Sequence, residues 1–478
     1  MTERHDPEPV DPAPAPFPPT ELRPTWAVSD RFVPRAVLRP LQDFLSTSTA
    51  SATLLLAAAL VALVWANSPW SEAYTSLWHT EIAFGVGSWA IADDLRTWVN
   101  DGLMALFFLV VGLEIKREVL QGELRDPKAA ALPAIAALGG MVVPALLFLL
   151  VNAGGEGARG WGIPMATDIA FALGVLTLAA RNAPATIKPF VLTLAIVDDI
   201  AAILVIAIFY SGGIEAVPLL VAGAFVVGIV GLRRIHVRAS TAYVVMAVGL
   251  WLATHEAGLH PTLAGVVTGL LTPIHPFQPP AAVSREAIRT ADETDDDPEP
   301  DDEGTHLWLR LATLSREAVS PLARVEHALL PWTSFVIVPI FALANAGVAL
   351  SGDTIRAALS APVTIGVVTG LVVGKTVGIW FASLVAVRLR VARLPRAMTM
   401  RHVLGAGAVA GVGFTVALFI TELAFDEAVL RDEAKIGILV ASVAAGALGW
   451  VLLTLAPAAP SEGAVGDPAP TQIVGGTR

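Results

Sequence analysis

Cysteine is absent from this chain of 478 residues, so neither a disulfide framework nor a thiolate metal or redox site is possible. Charge is scarce as well. Asp, Glu, Lys and Arg make up 15% of the residues, against about a quarter in soluble domains. Lysine is scarcer still, with five against 26 arginines. Residues 1–40 lack the apolar run that a signal peptide needs. They are Pro-rich and polar and read as a disordered tail, as do residues 457–478.

What the chain has is hydrophobic residues, 55% of the total and gathered in blocks. A bilayer core needs roughly 20 apolar residues per helical crossing. About twelve such stretches are visible, near 48–66, 102–115, 129–152, 163–180, 189–210, 214–232, 240–254, 259–272, 332–350, 361–387, 402–425 and 434–456. The weak alternating segments of about ten residues that mark a transmembrane barrel are missing. The chain therefore reads as an all-α polytopic membrane protein, with one transmembrane domain over 41–456. A net charge of −11 says little about partners, because much of it sits in one acidic run, Asp292 to Glu303. That run is expected in a flexible, solvated cytoplasmic loop over 276–320. With the N-terminus placed inside, Arg35, Arg39, Lys116, Arg117, Arg233, Arg234, Arg390, Arg393 and Arg396 all fall in inner loops. Few cations face out: Arg96, Arg159, Arg356, Arg431 and Lys435. The positive-inside bias thus makes both termini cytoplasmic.

An ionisable group at mid-membrane costs at least about 2.5–3.5 kcal/mol on insertion scales and needs a reason. Asp198 and Asp199 lie in FVLTLAIVDDIAAILVIAIFY (190–210), with eight residues before the pair and eleven after it. A hard monovalent cation takes oxygen ligands, and protons compete for the same oxygens, so a carboxylate pair suits an exchanger. Helix capping at a loop is the bland alternative, and the flanking apolar runs exclude it. Asp168 and Thr167 lie in GWGIPMATDIAFALGVL (160–176), where Pro164 interrupts the span. A carboxylate and a hydroxyl there can satisfy freed backbone groups and the positive end of a half-helix. Lys375 has ten apolar or small residues on each side over 365–385, which disfavours snorkelling to the interface. It pairs with an Asp or takes part in proton exchange. VLGAGAVAGVGFTVALFI (403–420) carries Gly405, Gly407, Gly411 and Gly413, the mark of a broken helix or of close packing. The Asp168 span is the middle one of spans three to five, and this glycine-rich span the middle one of ten to twelve. Interruptions at matching places in two halves point to an inverted-repeat transporter with its site at the midplane.

Seven stretches in order, NDGLMALFFLVVGLEIKRE (100–118), ATDIAFALGVL (166–176), LAIVDDIAAI (194–203), LHPTLAGV (259–266), FALANAGVAL (341–350), GLVVGKTVGI (370–379) and GVGFTVALFI (411–420), make the chain resemble the NhaA-type sodium/proton antiporters. The resemblance implies twelve helices, the fourth and eleventh unwound and crossing near mid-membrane. It implies an inner-membrane, pH-regulated, electrogenic antiporter that exports sodium or lithium for protons by alternating access, with no cofactor and no nucleic-acid partner. Electroneutral relatives have Asn at the first carboxylate. The resemblance makes Asp198 and Asp199 the ion site and pairs Lys375 with Asp198, with Asp168 and Thr167 on the unwound helix four. It puts Glu114, Arg117, Glu118, Glu326 and His327 in a cytoplasmic pH-response funnel, with His260 on the opposite side. Leu330 stands where the family pattern has a second histidine. A homodimer through an outer hairpin in 70–95 is a further implication. Asp101, after Asn100, is expected to cap the second span. Two rivals differ in class. A sodium-coupled solute symporter needs a midplane solute pocket, for which there is no aromatic or Arg cluster. An intramembrane aspartyl protease, an enzyme, needs a Gly-x-Gly-Asp motif that is absent.

Overall fold

The computed structural model describes residues 49–86, 89–179, 183–237, 240–294 and 302–457. The expected tails lie outside these, apart from residue 457. Each of the twelve apolar stretches is mainly helical over its described residues, two of them with a break. Ala50–Ala66 (α1) bends by 116° into the short Ser71–Trp78 (α2). An antiparallel hairpin of Glu81–Val86 (β1) and Trp89–Asp94 (β2) follows, in the register Glu81 to Asp94. This hairpin is a departure from a wholly helical chain. A π turn over Trp98–Leu103 opens the next helix, Met104–Gln121 (α3). Then come Pro127–Asn152 (α4), a 3-10 stretch over Glu156–Met165, Ile169–Ala179 (α5), Ile187–Phe209 (α6), Ala216–Arg234 (α7), Ser240–Glu256 (α8) and Thr262–Leu271 (α9).

The second half holds Pro280–Thr294 (α10), Asp302–Glu317 (α11), Pro321–Asn345 (α12), Gly352–Ser360 (α13), Pro362–Arg388 (α14), Met400–Ala410 (α15), Phe414–Ala424 (α16) and Ala428–Thr454 (α17). Six helices are long and apolar enough to cross a bilayer, or nine when each bent pair counts as one span, among the described residues. The rest of the twelve fall short for visible reasons. Charges at 114–118 crowd the end of α3, α8 has 17 residues and α9 has ten.

The stretch 276–320, expected to be an open loop, holds α10 and α11, which pack on each other. Proline there was misleading, because Pro280 starts α10 at the first helical position, where no N–H donor is needed. Leu307, Leu311 and Leu314 recur at helical spacing along the half-buried side of α11, and Arg310 reaches Glu286 of α10 at 3.5 Å. Most of the acidic run, 295–301, lies outside the described residues.

Helix order follows burial. In the most apolar window of α6, 61% of the residues are buried, against 11% for α7, so α6 is central and α7 peripheral. Outward-facing side chains such as Leu150, Leu220 and Val443 are exposed on this apolar bundle, as a lipid-facing surface requires. Close approach depends on glycine at the α4–α14 crossing. A Cβ at Gly139 or Gly378 would collide with the other's carbonyl oxygen, so the two helices touch backbone to backbone.

Candidate functional site

Two spans are broken, and they cross. The 3-10 stretch ending at Met165 meets α5 at 50°, and α15 meets α16 at 49°. Pro164 prevents the first from continuing as a regular helix, while Gly411 and Gly413 let the second turn against its neighbours. A Cβ at Gly411 would strike the Leu371 carbonyl, so the glycines serve both the break and the packing. The residues at the two breaks are joined across the crossing: the Asp168 amide donates to Val412 O at 2.7 Å.

Asp168 lies where the N-termini of α5 and α16 converge. Its Oδ1 accepts the Phe171 amide at 3.0 Å, and its Oδ2 accepts the Thr415 amide at 3.1 Å and the Thr415 hydroxyl at 2.7 Å. One carboxylate therefore caps two half-helices, each presenting a partial positive charge. At the opposite, partially negative end, Ala410 O of α15 lies 3.0 Å from the Thr167 hydroxyl. Lys375 Nζ donates to that hydroxyl at 2.9 Å and to Asp198 Oδ2 at 2.5 Å. Thr167 Oγ1 is also 2.7 Å from Asp198 Oδ2. With a single proton to give, it serves Asp198 or Ala410. Lys375 is fully buried and follows a π turn over Thr369–Gly374, a local underwinding frequent at functional positions.

Asp198 and Asp199 are 1% and 6% exposed on α6. The Oδ1 atoms of both are buried without a hydrogen-bond partner. Asp199 has no hydrogen-bond or ion-pair partner at all among the described residues. Buried polar atoms are almost always paired, and an unpaired carboxylate oxygen is costly. These oxygens are open valences for a proton or a cation. The five residues read from the sequence, Thr167, Asp168, Asp198, Asp199 and Lys375, form one buried cluster drawn from three spans.

Two cavities lie on either side. One of about 700 Å³ is lined by Glu118, Glu123, Arg125, Asp126, Pro189 and Thr193. It reaches α6 at Thr193, six residues and so roughly 9 Å along the axis from Asp199. The other, about 360 Å³, is lined by Asp94, Asn100, Asp101, His260, Phe419 and Glu422, among others. Rings close its floor: Phe419 packs on Phe108 at 5.3 Å, on His260 at 5.2 Å and on Phe341 at 6.2 Å between centroids.

The residues expected in a pH-response funnel divide. Arg117 joins Glu326 of α12 and lies 3.9 Å from Glu114. Glu118 accepts the Glu123 amide at 2.8 Å beside the larger cavity. His327 is exposed and is not drawn into this group. His260 is on the other cavity, 3.6 Å from Asp101. Asp101 does not cap a helix. It lies inside the π turn, and Asp94 is the cap, accepting the Thr97 amide at 2.8 Å.

Sequence reading missed Thr415, the ring seal and a buried ion cluster. In that cluster Glu422 of α16 meets Lys435 at 2.6 Å and Arg431 at 3.3 Å, both on α17. A Thr just after a glycine break was the available sign of a half-helix start.

Comparison with known proteins matches a family model described as Na+/H+ antiporter 1 over residues 42–453. The chain belongs to the Na+/H+ antiporter 1 family. It is 47% identical over 418 residues to the Na(+)/H(+) antiporter NhaA 2 of Myxococcus xanthus, covering 87% of this chain and 88% of that protein. Against NhaA 2 of Sorangium cellulosum the identity is 44% over 439 residues, 91% of this chain and 94% of the relative. Against NhaA of Janthinobacterium sp. it is 44% over 417 residues, 86% and 91%. Membership in the Na+/H+ antiporter 1 family makes the chain a multi-pass membrane transporter and not an enzyme.

Proposed function

We propose that this chain exchanges sodium for protons at the Asp198–Asp199 pair. The observation that carries the reading is the pair of buried Oδ1 atoms without partners, next to a crossing of two broken helices. Adjacent carboxylates repel when both are ionised, and either a proton or a cation relieves that repulsion. Loading by one excludes the other, which is antiport. Lys375 pairs with Asp198 at Oδ2 and competes with a cation for that oxygen. Asp199, with no internal counter-charge in contact, is the first ligand of an incoming ion.

Access is asymmetric. The larger cavity is open beside the pair's own helix, with carboxylates Glu118, Glu123 and Asp126 on its rim. The smaller one stops at the Phe419 rings. This supports a state open to the side where the positive residues cluster, which we take to be the cytoplasm, with both termini there and the chain in the inner membrane. Alternating access then requires α16 to carry Phe419 away from Phe108 and Phe341. Two acidic positions at the pair favour an electrogenic cycle, and lithium, also a hard monovalent cation, suits the same oxygens. The Arg117–Glu326 link joins α3 to α12 next in the chain to Glu118, which lines the larger cavity, and we assign pH regulation to it, together with Glu114 and Glu118. A homodimer through the hairpin rests on its two strands, whose outer edges lack strand partners among the described residues, and on the exposure of Phe84.

The test uses everted membrane vesicles with a respiration-driven proton gradient, read by an acid-sensitive dye from pH 6.5 to 9. Sodium should dissipate the gradient with the native chain and not with Asp199→Asn. A native chain that never responds to sodium or lithium overturns antiport in favour of solute symport. An Asp199→Asn chain that exchanges normally overturns the site.

A further inference from the structure

We infer that Thr415 is a positioning residue for exchange, coupling α16 to the ion pair through its hydroxyl. The inference rests on the reading of Asp198 and Asp199 as the ion site. Thr415 is 3% exposed and touches neither carboxylate of the pair. Both its amide and its hydroxyl end on Asp168 Oδ2, so two of the three hydrogen bonds given to that carboxylate come from this one residue. Asp168 is one peptide away from Thr167, whose hydroxyl lies within hydrogen-bond distance of Asp198 and of Lys375. The chain of contacts therefore runs from α16 through Thr415, Asp168 and Thr167 to the oxygen that Lys375 shares.

The same half-helix carries Phe419 one turn further on, at the floor of the closed cavity. A displacement of α16 that unseats Phe419 pulls on Asp168 at the other end. Thr415 thus links the state of the seal to the placement of Asp198 and Lys375. A purely structural cap would have different consequences. The backbone amide alone can cap the helix, and the amide survives substitution by valine, alanine or serine. The hydroxyl, the shorter of the two bonds to Oδ2, is the part that an uncoupled cap does not need.

Three variants separate these roles in the vesicle assay. Thr415→Val keeps the branched shape without the hydroxyl, Thr415→Ala removes both, and Thr415→Ser restores the hydroxyl alone. Removing one hydrogen bond to a charged group corresponds to about a tenfold change. The expected result is an apparent KM for sodium about tenfold higher in both hydroxyl-free variants, with the maximal rate kept within about twofold, and a native KM in Thr415→Ser. Melting of each purified variant in detergent establishes that it is folded, and either Val or Ala suffices if the other is not. A folded hydroxyl-free variant with native KM overturns the inference, as does Thr415→Ser behaving like Thr415→Ala. Asp199→Asn is run alongside. If it exchanges normally, the ion-site reading has failed; if it is inactive while Thr415→Val is native, only the role of Thr415 has failed.

Discussion

Lys375→Met offers the sharpest energetic test of the cluster. Lys375 and Asp198 are completely buried as side chains, so neither solvent screening nor rim exposure dilutes their interaction. Methionine retains most of the lysine stem that passes Gly140, where a Cβ would lie 3.7 Å from Lys375 Cδ. The substitution therefore removes a charge with little change of shape. Asp198 keeps only the Thr167 hydroxyl at 2.7 Å, and its Oδ1 has no partner to begin with. Removing one member of a buried ion pair costs about 3–5 kcal/mol, a fall of roughly two to nearly four orders of magnitude in the folded-to-unfolded ratio. Replacing both members is different, because no charge then has to be desolvated. Asp198→Asn with Lys375→Met should recover to within about 1–2 kcal/mol of the native chain, with Asn still accepting from Thr167. Unfolding of purified protein in detergent, followed through its 12 tryptophans, measures all three. A single variant as stable as the native chain refutes the reasoning, as does a double variant no more stable than the single one.

Glu422→Gln should destabilise by a similar 3–5 kcal/mol, because it leaves Lys435, 3% exposed, without its counter-charge; the same unfolding measurement checks it. Gly139→Val should cost about 1–3 kcal/mol by overpacking α4 against the Gly378 carbonyl and Ala382, read as reduced melting temperature and yield. At the β1–β2 hairpin, burial pushes the Asp94 carboxyl up, but hydrogen bonds from the Thr97 hydroxyl and amide and from His79 outweigh it and hold the group below its ordinary value of 3.8. Because that shift is downward, its stabilisation is complete above pH 3.8 and drains away as the pH falls toward the folded-state value. Asp94→Asn should thus speed amide exchange across 81–86 and 89–97 at neutral pH and make no difference once the pH is well below the folded-state value, by hydrogen exchange.

The spans and the ionisable residues within them were legible because both follow from the cost of polarity in hydrocarbon. Twelve apolar stretches had to be helices, since a helix alone satisfies its backbone without water. Asp168, Asp198, Asp199 and Lys375 announced themselves because few charges stand inside such stretches. Pro164 and the four glycines marked the two breaks for the same local reasons that the chain bends there. The α10–α11 hairpin was misread because a charge run and prolines describe solubility, while the packing of two helices on each other shows only once both are placed.

Tertiary structure alone decided which atoms meet. That Thr167 lies between Lys375 and Asp198, that Asp168 caps α16 of another span through Thr415, and that Phe419 seals one cavity while the other stays open are contacts between residues up to 311 positions apart (Phe108 and Phe419). No local pattern encodes such pairs. They follow from the angle at which two broken helices cross and from how closely α4 and α14 approach at Gly139 and Gly378. The sequence determined that charge is kept inside the apolar spans; packing decided which carboxylate oxygens were left without a hydrogen-bond partner.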